Sequence, residues 1–190
     1  MDLQQAQDLF KQAVEAYKNN DLELAIQLWS QIKKTSDEVK EIYAEAQYNV
    51  GVLFKKLNHY KEAEQAYKNV SRSDSAEQYA KAQVNLGALL HDLKRFNEAE
   101  QCYKNVSSAD SVEQYARAQF NLGVLLKKLK RYQEAEQAYK NVNREDSGKA
   151  YAFAQWNLYW SFGKNKDYLI NVEKEHDLET YAQARFVLGE

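Results

Sequence analysis

A unit of 36 residues that repeats along the chain constrains the fold more than any other feature of the sequence. Residues 43–70 read YAEAQYNVGVLFKKLNHYKEAEQAYKNV, and nearly the same residues return at 79–106 and 115–142. Self-similarity at a fixed period of this length is typical of proteins built from stacked units, each burying its apolar face against the next. The sequence therefore predicts a stacked-repeat architecture.

Each unit contains two helical patterns in succession. In the copy that begins at Tyr79, apolar residues follow one another at steps of three and four: Ala82, Leu86, Leu89, Leu90 and Leu93. Such a stripe is typical of an amphipathic helix, and no alternation of period two indicates a strand. After a short polar break the helical spacing resumes in Phe96, Ala99, Tyr103 and Val106. We predict an antiparallel helix pair in each unit.

Small residues recur inside both helices of a pair. The first helices hold a glycine at one position: Gly51, Gly87 and Gly123. Glycine inside a helix costs about 1 kcal/mol relative to alanine, so its recurrence indicates that the partner helix approaches closely. The second helices hold an alanine at a matching position: Ala63, Ala99 and Ala135. We predict that the two helices of a pair meet at these small residues.

A polar pair precedes each regular first helix: Asp74-Ser75, Asp110-Ser111 and Asp146-Ser147. Side-chain oxygens of both residue types cap the free amides of a first helical turn. Glu77 and Glu113 follow the aspartates by three residues, which is the spacing of a capping box. We therefore expect first helices to begin near residues 74, 110 and 146.

One repeat carries a specific family motif, made up of Asn121-Leu122-Gly123, Leu126, Tyr132, Ala135 and Tyr139. This motif resembles the tetratricopeptide (TPR) repeat, whose usual unit has about 34 residues. The resemblance implies an all-α, right-handed α-solenoid of stacked antiparallel helix pairs, with about 11 helices. It also implies a non-catalytic scaffold or adaptor, whose first helices line a concave groove that binds a peptide or helix of a partner protein.

The repeat boundaries predict one solenoid over residues 1–190. Its units are expected at about 5–42, 43–78, 79–114, 115–150 and 151–180, followed by a partial or capping helix at 181–190. The unit at 151 departs from the pattern, because Tyr159 replaces the glycine and few residues remain for a second helix. We expect altered packing in that unit.

Composition excludes several functions. The net charge is −2, with 26 basic and 28 acidic residues interleaved. Binding to the phosphates of a nucleic acid needs an excess of basic residues. No apolar run approaches the roughly 20 residues of a membrane span, and the N-terminus does not read as a secretory signal. Cys102 is the single cysteine, so neither a disulfide framework nor a thiolate metal cluster is expected. We expect a cytoplasmic protein.

The sequence does not predict an enzyme. The three histidines, His59, His91 and His176, are far apart along the chain. No glycine-rich phosphate loop, nucleophile elbow or metal-binding motif is present. We therefore expect no catalytic residue, no cofactor and no metal.

Four asparagines, Asn49, Asn85, Asn121 and Asn157, recur on the predicted groove side of the first helices. A carboxamide donates and accepts together, so such a column can hold the backbone of an extended peptide. The column is similar to the asparagine ladders inside some TPR superhelices. The alternative is that each asparagine bonds a neighbouring helix.

An aromatic column accompanies the asparagines: Phe10, Tyr48, Phe120 and Trp156, with Trp160 beside it. Exposed aromatic side chains anchor partners well, although these could instead pack laterally against adjacent helices. The predicted partner-binding set is Asn49, Asn85, Asn121, Asn157, Tyr48, Phe120, Trp156, Trp160, Arg117 and Lys128.

The sequence excludes one class of partner and leaves one alternative function open. The family's clamp for acidic chaperone tails needs a lysine just before the ladder asparagine, where this chain has Tyr48, Val84 or Phe120, so that class is rejected. A self-assembling structural protein is the alternative function, with a homodimer formed through the C-terminal helix at 181–190.

Overall fold

The computed structural model describes residues 1–189, which form eleven α-helices and no strand. The helices are α1 Leu3–Lys18, α2 Leu22–Gln31, α3 Lys40–Lys56, α4 Tyr60–Lys68, α5 Ala76–Asp92, α6 Phe96–Lys104, α7 Val112–Lys128, α8 Tyr132–Lys140, α9 Gly148–Ser161, α10 Asp167–Ile170 and α11 Leu178–Leu188. The all-α prediction and the expected helix number are confirmed. The predicted terminal helix is α11, and Glu190 lies outside the described residues.

The chain divides into two compact units. Unit 1 runs from Met1 to Arg95 and contains α1–α5, and unit 2 runs from Phe96 onward and contains α6–α11. The boundary falls between the two helices of the repeat at 79–114.

Short connections form the helix pairs within each unit. Three residues link α1 to α2, α3 to α4 and α7 to α8, and the middle residue of each link has a left-handed backbone: Asn20, Asn58 and Lys130. A link this short between two packed helices reverses the chain, so the pairs are antiparallel. The second helix of a pair also packs on the next first helix, as α4 does on α5 and α8 on α9.

A tyrosine ring fills the space at the repeated glycine. A Cβ atom added to Gly51 would lie 2.6 Å from Cε1 of Tyr67, and one added to Gly123 would lie 2.6 Å from Cε1 of Tyr139. Both tyrosines are fully buried, and this burial raises the pKa of each phenol. The expected close contact therefore exists, but it is made by the tyrosine of the second helix rather than by the alanine that the sequence indicated.

The serines cap the regular first helices. The Oγ atoms of Ser75, Ser111 and Ser147 each accept a backbone N–H from the third residue beyond, at 3.4 Å. Helices α5, α7 and α9 begin two residues after the predicted positions. The predicted capping boxes of Glu77 and Glu113 are wrong, because the cap is the serine and the residue three places after it is a glutamine, Gln78 or Gln114. Neither glutamine oxygen bonds back to the backbone of the cap.

The aspartates before the serines make other contacts instead. Oδ2 of Asp110 accepts both the backbone N–H and the hydroxyl of Ser107, at 3.0 Å each. The buried Asp74 accepts the ammonium of Lys34 at 2.6 Å. At the last such turn His176 stands in the place of the aspartate, and its Nδ1 accepts the backbone N–H of Glu173 at 3.1 Å. The hydrogen bond from the backbone N–H three residues earlier is thus retained, with an imidazole nitrogen as acceptor in place of a carboxylate oxygen.

A buried glutamine links the two helices of a pair. Oε1 of Gln47 accepts Nδ2 of Asn69 at 2.8 Å, and Oε1 of Gln119 accepts Nδ2 of Asn141 at 3.1 Å. Both glutamines are buried, so each bond satisfies a carboxamide that would otherwise be costly to remove from water. No local pattern in the sequence indicates this pair.

Bidentate ion pairs join two of the regular second helices, α4 and α6, to the turn that follows the next first helix. In unit 1, Arg95 binds both carboxylate oxygens of Glu64, at 2.5 and 3.0 Å, and Lys68 adds a contact at 2.5 Å. In unit 2, Arg131 binds Glu100 in the same way, at 2.5 and 3.1 Å. The hydrogen bond from Arg95 is the main cause that lowers the pKa of Glu64 to about 2.

The repeat that begins at residue 151 is irregular, as expected. Its second helix, α10, spans four residues. Tyr159, which replaces the glycine, is buried in a small core with Leu169, Val172 and Ala184. Helix α11 closes this core from the other side and ends at Gly189, whose backbone is left-handed with φ 85°.

The contact of the Tyr139 ring with Gly123 predicts that Gly123→Ala destabilises the protein when the ring is present but not when it is absent. Gly123→Ala in the wild-type chain should destabilise unit 2 by about 1–2 kcal/mol, because overpacking against Tyr139 exceeds the gain in helix propensity. In a Tyr139→Leu background the same change should be neutral or stabilise by up to about 1 kcal/mol. Urea unfolding of the four proteins measures both steps, and an equal cost in the two backgrounds would contradict the ring contact.

The ion pair at Glu64 predicts a pH-dependent contribution to stability. Because the folded pKa is depressed, the contribution is complete above the unfolded carboxyl pKa of about 4.3 and is lost as pH falls toward 2. Glu64→Gln should cost about 1–2 kcal/mol at pH 7, since the 37% exposure of Arg95 screens part of the interaction.

Glu136→Gln is the matched control for that change. Glu136 pairs with Lys140 on its own helix, at 2.7 Å, and has no second ion pair among the described residues. Its replacement should cost a few tenths of a kcal/mol. Equal losses for the two variants, measured by urea unfolding between pH 7 and pH 3, would show that the bidentate arginine adds nothing.

Candidate functional site

The four predicted asparagines occupy the same repeat position in four first helices, two of them in each unit. They are Asn49 in α3 and Asn85 in α5 of unit 1, and Asn121 in α7 and Asn157 in α9 of unit 2. Within each unit we call the side of these helices that carries the asparagines the ladder face. Each of the four side chains is half-buried. The ladder face is therefore accessible in part, and its residues also contact neighbouring helices.

Two of the four ladder-face asparagines make side-chain hydrogen bonds within the protein, and two do not. Nδ2 of Asn85 donates to the hydroxyl of Tyr48 at 3.2 Å, which links α5 to α3. Asn157 donates to the carbonyl oxygen of Phe153 at 2.9 Å and accepts Nζ of Lys127 at 3.2 Å. Within residues 1–189, no side-chain hydrogen bond engages Asn49 or Asn121.

The aromatic residues of unit 1 pack laterally. The ring centroids of Phe10 and Trp29 are 5.8 Å apart, and those of Tyr48 and Tyr67 are 6.3 Å apart. Because Tyr67 lies on Gly51, Tyr48 extends an aromatic layer from the interior of the helix pair to the ladder face. Phe10 and Tyr48 remain half-buried.

The aromatic residues of unit 2 are more numerous and more exposed. The centroid of Phe120 lies 6.0 Å from that of Tyr139 and 5.9 Å from that of Phe153. Farther along α9, the rings of Trp156 and Trp160 are 5.7 Å apart, and Trp160 is 48% exposed. Lateral packing therefore fixes these rings and leaves part of each surface open.

A cleft of about 420 Å³ lies between α7 and α9 on the ladder face. We call it the α7–α9 cleft, and its lining consists of Glu113, Arg117, Phe120, Asn121, Ser147, Lys149, Ala150 and Phe153. It brings together three residues of the predicted binding set, namely Arg117, Phe120 and Asn121. The remaining seven predicted residues do not line it.

Two cations of the α7–α9 cleft are weakly neutralised. Nη1 of Arg117 donates to the neutral Oε1 of Gln114 at 3.0 Å. Nζ of Lys149 is 3.9 Å from the carboxylate of Asp177 and 5.7 Å from the ring centroid of Phe153. Both cationic side chains are exposed. By contrast, the guanidinium of Arg131 contacts two carboxylates.

The predicted residue Lys128 points to another helix, and a residue of the cleft, Lys149, was not predicted. Nζ of Lys128 sits 4.9 Å from the ring centroid of Phe96, so its ammonium is held beside α6. Lys149 lines the cleft but is absent from the predicted set. The signal was present in the repeat, because Lys149 stands where the preceding units have Glu77 and Glu113.

The described residues contain neither an obvious metal site nor a membrane helix. Between residues 1 and 189, no three His, Cys, Asp or Glu side chains are placed to hold a metal ion. Every helix in that range is too short or too polar to cross a bilayer.

Solved structures share this fold at low sequence identity. PilF of Pseudomonas aeruginosa is 20% identical with a TM-score of 0.60, and the match covers 97% of this chain and 90% of PilF. A thermophilic TPR protein of Thermus thermophilus is 18% identical with a TM-score of 0.55, over 97% of this chain and 100% of that protein. MamA AMB-1 is 18% identical with a TM-score of 0.55, covering 97% of this chain and 92% of MamA.

Family models give the assignment that these structures alone do not. One tetratricopeptide repeat model matches residues 78–142 and another matches residues 48–105. No curated protein sequence matches the chain significantly. Together the two matches span residues 48–142, half of the chain, and the all-helical fold is an α-solenoid of the kind found in TPR proteins. The chain therefore belongs to the tetratricopeptide repeat family.

Proposed function

We propose that the chain is a non-catalytic interaction module, a TPR scaffold or adaptor, that binds a peptide or helix of a partner protein on its ladder face. The α7–α9 cleft is the observation that carries this proposal. An open carboxamide, two aromatic rings and two exposed cations converge there within about 420 Å³. Family membership supports an interaction role, and the lone Cys102 is compatible with the proposed cytoplasmic location.

The side chains of the cleft suit a segment of polypeptide. Asn121 can accept a backbone N–H and donate to a backbone carbonyl, and it has no side-chain hydrogen bond among the described residues. The rings of Phe120 and Phe153 are already held by their neighbours, so they bury apolar area against a ligand with little further loss of rotamer freedom.

The proposal predicts that peptide binding depends on Asn121 and Phe120. Peptides selected from a random library displayed on phage would be synthesised and measured by calorimetry. Asn121→Ala and Phe120→Ala should each weaken binding about tenfold or more, because a central contact is removed.

Asn97→Ala is the matched control, since Asn97 is an exposed asparagine on α6 that lies off the ladder face. This variant should bind the same peptides as the wild type. Peptides that bind the Asn121, Phe120 and Asn97 variants equally well would contradict recognition on the ladder face.

A second candidate function is self-assembly through α11. Phe186 on this helix is 85% exposed, and Leu178 at its start is also exposed. The matching residue of α9, Trp156, is half-buried against the core formed with α10 and α11. We propose that the exposed apolar residues of α11 pair with those of a second copy to form a homodimer, because so exposed a phenylalanine favours burial.

Sedimentation velocity over a range of concentrations tests the homodimer. The wild type should shift from monomer to dimer as concentration rises, and Phe186→Glu should remain monomeric. Tyr132→Glu is the control, because Tyr132 is an exposed aromatic residue on α8. A wild-type protein that stays monomeric at high concentration would remove this candidate.

A further inference from the structure

Equivalent ladder-face positions of the two units carry opposite charge. Two repeat periods separate Arg117 from Glu45 and Lys149 from Glu77. The cations of the α7–α9 cleft in unit 2 therefore replace two carboxylates on the corresponding surface between α3 and α5 in unit 1. Since Lys81 in turn stands where unit 2 has Phe153, the two surfaces differ both in their charge and in their apolar content.

The corresponding surface of unit 1, between α3 and α5, is acidic. Among its residues equivalent to the lining of the α7–α9 cleft, the one lysine is Lys81, which pairs with Glu77 at 2.6 Å and is thereby neutralised. Burial raises the pKa of Glu45, the nearby charge of Glu77 raises it further, and Lys81 opposes both effects. A second anion brought to this surface would meet uncompensated negative charge.

The α7–α9 cleft of unit 2 is positive for three reasons. Arg117 does not repeat the pairing of Lys81 with the acid four residues earlier, since its guanidinium donates to Gln114. Lys149 is 3.9 Å from its nearest carboxylate. The cleft also includes Ser147 and Ala150 at the N-terminus of α9, whose first turn contains no acidic residue, so the helix dipole adds to the positive potential.

We infer that the α7–α9 cleft binds an aspartate or glutamate side chain that lies next to an apolar residue in a peptide of the partner protein. The carboxylate takes its place between Arg117 and Lys149, and the apolar side chain lies against the rings of Phe120 and Phe153. Arginine binds a carboxylate through two parallel hydrogen bonds, which fixes its orientation as well as its charge. Glu113, the single acid in the lining, opposes a doubly charged phosphate more strongly than a carboxylate.

This inference rests on the proposed function, and a charge-reversal selection tests it. Random peptides displayed on phage are selected against the wild type and against Arg117→Glu/Lys149→Glu. The wild type should enrich Asp or Glu beside an aromatic or aliphatic residue. The reversed variant should lose these peptides and enrich Lys or Arg at the same place.

Affinity measurements on one enriched acidic peptide make this test quantitative. The reversed variant should bind it at least about tenfold more weakly, and the wild-type affinity should fall as salt is raised toward about 1 M, where screening becomes short-ranged. Lys166→Glu/Lys174→Glu is the control with the same change of net charge, because both lysines are exposed and neither lines the cleft. This control should keep the acidic preference, and helicity is checked by circular dichroism for every variant.

The outcomes separate the inference from the proposed function. Peptides that require Asn121 and Phe120 but show no acidic preference, or a preference unchanged by charge reversal, overturn the inference and leave the proposed function standing. The same holds if the control pair loses the acidic preference as fully as the reversed pair. If no peptide is enriched, or if Asn121→Ala has no effect, both fail.

Discussion

The packing of a tyrosine ring on a glycine sets the distance between the helices of a regular pair. Tyr67 and Tyr139 bring large, fully buried rings from the second helices, and only a residue without a Cβ atom leaves room for them. The ring in turn supports Tyr48 or Phe120 above it, so the same contact positions the ladder face. Interior packing and candidate binding surface therefore depend on one interaction, in which the burial of a ring offsets the cost of glycine in a helix.

Around this contact, one kind of polar interaction holds the two helices of a pair together and another connects one pair to the next. Buried glutamine–asparagine bonds close a pair, whereas bidentate arginine–glutamate bridges connect one pair to the next. These interactions are local, which suits an array in which each repeat contacts only its neighbours. The ladder face is free of such constraints at several positions, and there the charge changes from Glu45 and Glu77 to Arg117 and Lys149 at equivalent positions of the repeat.

The irregular unit shows how far a repeat pattern can be extended before packing changes. Tyr159 occupies the place of the glycine, so a second helix cannot approach as in the other pairs, and α10 has four residues. The core there is completed by residues from α9, the segment around α10, and α11. Trp156 accordingly packs against this core, while Trp160, one turn later, stays about half exposed.

The sequence by itself determined the helical repeat, the positions of the helices and the shortened second helix, because periodicity, glycine spacing and capping serines are local signals. It indicated that something lies close to Gly51 and Gly123, yet the partner is a tyrosine sixteen residues away, and only packing in three dimensions decided this. The tertiary structure likewise decided which asparagines bond within the protein, and it joined Arg117 to Lys149 in one cleft. Such contacts form between residues distant along the chain, so their partners depend on how the helices pack rather than on any local pattern.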